Sequence, residues 1–188
     1  MRIISGTFKA RRIEPPSNIT ARPTTDFAKE GLFNLLANKI DFEQIDVLDL
    51  FSGTGSIGFE FISRGCATLT AVELNERQCA FIRKVCNDLK IDNISLLRTD
   101  VFRFLKTCRM QFDLVFADPP YTLPNIDTLP NLVFEKNILK PEGLFILEHS
   151  AKSDFSTNPH FTEHRKYGNV NFSFFQPPQT QASSQPSP

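Results

Sequence analysis

The chain has 188 residues, of which 40% are hydrophobic and 22% charged, an ordinary globular balance that suits one domain with a real core. Formal net charge is zero, so overall charge does not predict a polyanionic partner, and no apolar run is long enough to cross a bilayer. The start, Met1-Arg2-Ile3-Ile4-Ser5-Gly6, lacks the apolar run of a signal peptide, and the expectation is a cytoplasmic protein with no membrane partner.

Residues 1–22 set Arg2, Lys9, Arg11, Arg12 and Arg22 against Glu14 alone, a balance of +4 that leaves −4 for the remainder. A short strand pair or ordered arm is predicted there, closed by Pro15-Pro16. Its charge suits a phosphate backbone or a solvated terminus equally. Arg22-Pro23-Thr24-Thr25-Asp26 reads as an extended loop feeding a helix, with Thr25 or Asp26 as N-cap. Phe27, Leu32, Phe33, Leu35 and Leu36 predict an apolar helical face ending near Lys39. Gly31 inside that helix costs up to about 1 kcal/mol relative to Ala, and close packing is the expectation there.

From Asp46 the pattern changes to strand–loop–helix units. Buried strands are predicted at 47–51, 68–74, 94–97, 112–117 and 144–148. Helices are predicted from the glycine loop to Ser63 and over 76–90, 101–108 and 129–138. Pro141-Glu142-Gly143 reads as a turn, and 162–167 with 170–176 as a hairpin around Gly168-Asn169. Alternation of this kind implies an α/β fold with a mostly parallel sheet, helices on both faces and antiparallel strands at the end. The expected layout is a basic arm over 1–22, one domain over 23–176 and a disordered Pro/Ser/Gln tail over 177–188. The 19 phenylalanines, with no Trp, are expected to fill the core. Cys66, Cys79, Cys86 and Cys108 form no CxxC and read as reduced and structural. His160 and His164 lack a third ligand, so no metal site is expected.

Two stretches carry chemistry. Phe112 to Ala117 is a strand that Asp118-Pro119-Pro120-Tyr121 ends abruptly, because neither proline has an N–H for the sheet. Each proline also pushes its predecessor into an extended conformation, so Asp118 is held at the strand's carboxyl end, where open α/β sheets bind ligands. A carboxylate, the Pro119 carbonyl and the Tyr121 ring suit the amino group of a planar base.

The second stretch, Gly53-Thr54-Gly55-Ser56-Ile57-Gly58, fits GxGxxG between a strand and a helix. Nicotinamide-dependent proteins share that pattern. Asp49, just before it, suits a cation and serves a pyrophosphate poorly. Glu73 ends the second strand and fits ribose hydroxyls, and Asp100 ends the third and could accept from an adenine amino group. Each acid alone reads as well as a cap or surface charge. Together, at successive strand ends, they favour S-adenosylmethionine.

Asp49-Leu50-Phe51-Ser52-Gly53-Thr54-Gly55, Glu73, Asp100 and Asp118-Pro119-Pro120-Tyr121 resemble the ordered motifs of class I methyltransferases acting on exocyclic amines. Arg2-Ile3-Ile4-Ser5-Gly6, Lys9 to Ile13, Arg22-Pro23-Thr24-Thr25-Asp26, Glu30-Gly31-Leu32-Phe33-Asn34 and Ser63-Arg64-Gly65 resemble, more narrowly, the RsmD family, which methylates guanine N2 in bacterial 16S ribosomal RNA. Ala10 and Gly31 depart from it, standing where the family often has glycine and alanine.

The resemblance implies a Rossmann-like, seven-stranded class I methyltransferase sheet with a small N-terminal extension, and S-adenosylmethionine as cofactor. Asp49 would lie near the methionine amino end, Glu73 on the ribose and Asp100 on adenine; Gly53 and Gly55 would let the loop approach the cofactor, and Phe51, Leu74 and Val101 would complete its site. Arg22 and Thr24 would close over the methionine end. Asp118, Pro119, Pro120 and Tyr121 would hold the base, and Lys9, Arg11 and Arg12 the backbone of ribosomal RNA within a small-subunit particle. A monomer is expected. Rival readings are a methyltransferase for adenine N6 or protein glutamine, an NAD-dependent oxidoreductase and a non-catalytic RNA-binding module.

Overall fold

The computed structural model describes residues 1–16 and 25–178. The basic start is an ordered arm. Ile3 N–H donates to the Arg11 carbonyl and Ala10 N–H to the Ile3 carbonyl, around a single antiparallel bridge between Arg2 and Arg12. Ala10 has φ +66°, a left-handed conformation that glycine adopts more cheaply. Helix α1 (Asp26–Leu36) begins at Thr25, whose hydroxyl accepts from Ala28 N–H at 3.2 Å.

The strands β1 (Asp46–Leu50), β2 (Thr68–Glu73), β3 (Ile94–Arg98), β4 (Phe112–Ala117), β5 (Leu139–His149), β6 (Phe161–Tyr167) and β7 (Val170–Phe175) form one seven-stranded sheet in the order β3-β2-β1-β4-β5-β7-β6. Strands β1 to β5 pair in parallel, while β7 runs antiparallel to both β5 and β6. The intervening helices are α2 (Ser56–Ser63), α3 (Glu76–Leu89), α4 (Val101–Thr107) and α5 (Leu129–Glu135). The order reverses between β1 and β4, so a crevice opens beyond their carboxyl ends.

Period-two alternation builds a core on each face. Leu114 and Phe116 of β4, Leu144 and Ile146 of β5, and Phe172 and Phe174 of β7 pack toward α1, α2 and α3. Val115 and Ala117, Phe145 and Leu147 face α4 and α5. Twelve of the nineteen phenylalanines are buried.

Three expectations are corrected. The predicted turn at Pro141-Glu142-Gly143 lies inside β5: its pairing moves from Phe112–Leu139 to Leu114–Leu144, so β5 advances five residues while β4 advances two. That excursion absorbs the proline without ending the strand. Helix α5 stops at Glu135, because Asn137 turns left-handed (φ +51°) and the Ile138 carbonyl accepts from Phe112 N–H at the sheet. Phe27 does not join the buried face of α1; it is 68% exposed. The close packing suspected at Gly31 is real: a Cβ there would come within 2.2 Å of the Tyr167 ring, and Tyr167 Oη donates to the Gly31 carbonyl at 3.1 Å. The predicted tail lies almost wholly outside the described residues.

Candidate active site

The crevice at the β1/β4 switch is a cavity of about 840 Å³. One end is lined by Leu74, Asp100 and Val101 at the tips of β2 and β3, the middle by Asp49, Phe51, Gly53 and Glu73. Asp118, Pro119, Pro120 and Tyr121 line the other end, so the glycine loop and the residues after β4 open into the same space. This volume lies within the usual range for small-molecule sites, roughly 300–1,000 Å³.

The glycines have separate jobs. Gly53 takes φ +56°, and a Cβ on it would meet nothing closer than 3.8 Å, so it turns the chain beside open space. Gly55 is not on the cavity wall; it starts α2 at φ +78°, and a Cβ would press on the Phe59 ring at 2.7 Å. Gly55 thus serves the helix start and the packing of Phe59. Gly58 lets α2 lie on the sheet, where a Cβ would meet Leu69 at 2.7 Å and Asp49 Oδ2 at 3.0 Å.

Asp49 occupies a β1 position where the alternation would put an apolar core residue. It is 2% exposed, and its Oδ2 has no hydrogen-bond partner among the described residues. Burial, and then the Glu73 carboxylate, push its carboxyl up to about 7, against partial compensation from Gly58 N–H and Ser52. A cationic ligand group beside Oδ2 would satisfy the vacant acceptor and oppose both effects. Glu73 accepts from Gly53 N–H at 2.8 Å and Asn75 N–H at 2.7 Å, and the Gln78 amide nitrogen, oriented to face the carboxylate, donates to its two oxygens at 2.9 and 3.0 Å. Asp100 both lines the cavity and caps α4, accepting from Arg103 N–H at 2.9 Å. Its cap reading is thus realised.

Asp118 follows β4, its N–H donating to the Leu50 carbonyl at 3.4 Å. Its carboxyl is held well above the usual range by burial, then by Glu148, then by Asp49. Glu148 is 3% exposed near the end of β5 and lines the same cavity. The sequence reading missed it. The signal was present, since an acid ending the apolar run Leu144 to Leu147 follows the same pattern as Asp49, Glu73 and Asp118. The β6–β7 turn was foreseen, but its place at the site was not: Tyr167, Gly168, Asn169 and Val170 line the cavity. Antiparallel pairing of His149 with Asn171 brings that turn to the carboxyl end of β5.

Lys9, Arg11 and Arg12 are exposed on the arm and apart from the cavity wall. The arm is fixed to α2 by the fully buried Glu60, which accepts from Ile4 N–H at 2.8 Å and Ser5 N–H at 3.1 Å and from Arg64 Nε at 2.9 Å. Buried Lys29 donates to the Arg2 carbonyl and to Ser56 Oγ. Arg22 and Thr24, expected over the methionine end, lie outside the described residues.

Residues 1–176 match the model of a family described as Conserved hypothetical protein 95. Ribosomal RNA small subunit methyltransferase D of Buchnera aphidicola subsp. Baizongia pistaciae is 32% identical, over 79% of this chain and 75% of its own length. The protein of the same name from Haemophilus influenzae is 32% identical, over 94% of this chain and 93% of its own. The solved structure of Escherichia coli yhhF superposes with a TM-score of 0.81 at 28% identity, covering 94% of this chain and 97% of that one. The sheet order, with its antiparallel C-terminal hairpin, is that of the class I methyltransferases. The chain belongs to the Conserved hypothetical protein 95 family, which is the RsmD family.

Proposed function

We propose that this chain transfers the methyl group of S-adenosylmethionine to the exocyclic N2 of a guanine in small-subunit ribosomal RNA. One observation carries the reading: the buried, unsatisfied Asp49 and the Asp118-Pro119-Pro120-Tyr121 corner open into one cavity. Relatives named small subunit methyltransferase D support ribosomal RNA as the substrate.

S-adenosylmethionine, when bound, supplies a methyl group on a cationic sulfonium. Asp49 would take its ammonium end, Glu73 the ribose and Asp100 the adenine amino group, with Phe51, Leu74 and Val101 as apolar walls. Guanine N2 is a weak nucleophile because its lone pair is delocalised into the ring. Asp118 and the Pro119 carbonyl accept its two hydrogens and turn that lone pair toward the methyl group, while Tyr121 stacks on the ring. The gain is positioning and stabilisation of developing positive charge. Methylation would leave a surplus proton on N2. Asp118 is suited to take it, because Glu148 and burial make it more basic than an ordinary carboxylate. The base must leave its stack to reach this corner, and Lys9, Arg11 and Arg12 would hold the RNA backbone.

Tritiated-methyl transfer onto undermethylated small subunits and onto their naked RNA, with nucleoside mapping, tests the reading. N2-methylguanosine is the expected product. N6-methyladenosine as the sole product, or no transfer to either substrate, would overturn it.

A further inference from the structure

Four large apolar side chains are exposed among the described residues: Phe27, Leu74, Met110 and Tyr121. Three of them, all but Met110, line the one cavity. Apolar surface gathered at a single mouth marks a contact that is covered when ligand binds. Leu74 lies at the end with Asp100, and Tyr121 belongs to the Asp118 corner. Phe27 comes from the start of α1 and has no role in the chemistry derived above.

The Phe27 ring is not loose. It meets Tyr167 edge-on, with centroids 6.1 Å apart and planes at 76°. Tyr167 is held by its hydrogen bond to the Gly31 carbonyl and by the space that Gly31 leaves for its ring. A planar, braced face is thus presented to solvent at the cavity mouth. Beside it, Asp26 pairs with Arg2 at 3.4 Å, so the basic arm reaches the same edge.

We propose that Phe27, braced by Tyr167, is a second stacking face for the substrate, taking the unpaired nucleobase next to the one held at Tyr121. This rests on the reading of the site as an RNA methyltransferase. Phe27 offers a π-face and no hydrogen-bonding group, so it favours unstacked RNA without selecting a base. Two aromatic faces on one mouth would hold consecutive bases apart, and the arm's cations would follow the backbone.

The test uses a short single-stranded oligoribonucleotide carrying 2-aminopurine, whose fluorescence changes when the base leaves its neighbours in the strand for a protein ring. Phe27→Ala should weaken binding of this probe by about 5- to 150-fold, the range set by loss of one base–aromatic stack. Phe27→Trp should restore it, while Phe27→Leu, apolar but not flat, should not. Gly31→Ala should weaken the probe as well by displacing Tyr167, although Phe27 is intact. Affinity for S-adenosylhomocysteine should stay within about twofold throughout. The inference is overturned if the wild type leaves the probe's fluorescence unchanged, if Phe27→Ala binds it normally, if Leu restores it fully, or if the loss falls on S-adenosylhomocysteine instead. Methyl transfer by the wild type is scored separately. Its absence with a Phe27-dependent probe overturns the methyltransferase reading alone, and its presence with a Phe27-independent probe overturns the stacking face alone.

Discussion

Replacing Asp49 by Asn should make the cofactor-free protein more stable at neutral and alkaline pH while weakening its hold on the cofactor. The Asp49 carboxyl is pushed up to about 7 from an ordinary 3.8. Between those values the native state binds a proton that the unfolded chain has lost, so stability falls as pH rises through that window. The contribution is fully present below 3.8 and fully lost above about 7. A gap of about three pH units at about 1.4 kcal/mol each is a cost of about 4 kcal/mol at pH 8. Asn has nearly the same shape and no charge to desolvate, so it escapes that cost. Urea unfolding of both proteins measures it: the advantage of the variant should grow by about 3 kcal/mol between pH 5 and pH 8, a difference in which other titrating groups cancel. Calorimetry supplies the other half. Asp49→Asn should weaken S-adenosylmethionine by roughly tenfold to a hundredfold, the worth of one charge-assisted hydrogen bond. The wild type should release protons on binding near pH 7, and the variant fewer. Parallel pH–stability curves for the two proteins would refute the argument.

Other outcomes follow from the Asp118 corner and the arm. Asp118→Ala should lower methyl transfer by about 100-fold or more while retaining affinity for S-adenosylhomocysteine, as single-turnover kinetics and calorimetry would report. Tyr121→Ala should raise the KM for RNA about 5- to 150-fold, whereas Tyr121→Phe keeps the ring and should change it little. Glu148→Gln removes the charge that most raises the Asp118 carboxyl after burial, so the acid limb of the pH–rate profile should move to lower pH. Replacing Arg11 and Arg12 by Gln should weaken RNA binding and flatten its dependence on salt by up to about two units of slope.

Much of the site was legible because the chain advertises strand ends. Asp49, Glu73, Asp100 and Asp118 each follow or finish an apolar run, and parallel strands deliver their carboxyl ends to one rim. Glycine content was less informative than glycine environment. Gly53 and Gly55 look alike in the sequence, yet one edges the cavity and the other makes room for Phe59. What the pattern could not carry was long-range pairing. Tyr167 reaches Gly31 across 136 residues, and only the placement of β7 beside β5 brings it there. Phe27 was misread on its angle. At 100° per residue it lies almost opposite the buried arc of Ala28, Lys29, Leu32, Phe33 and Leu36, on the side of α1 that carries Gly31 and meets Tyr167. The arm's anchor was equally hidden, because Glu60 inside an apolar helix gives no local sign that it will accept the backbone of Ile4 and Ser5.

The claim that one rim holds both a methyl donor and a flat amine is tested most directly by calorimetry with a bisubstrate compound, S-adenosylhomocysteine tethered through its sulfur position to guanine N2. The account predicts that the wild type binds this compound more tightly than S-adenosylhomocysteine alone and that Asp118→Ala loses the added affinity but not the basal part. Equal affinities for the two compounds in the wild type, or a gain that survives in Asp118→Ala, would contradict it.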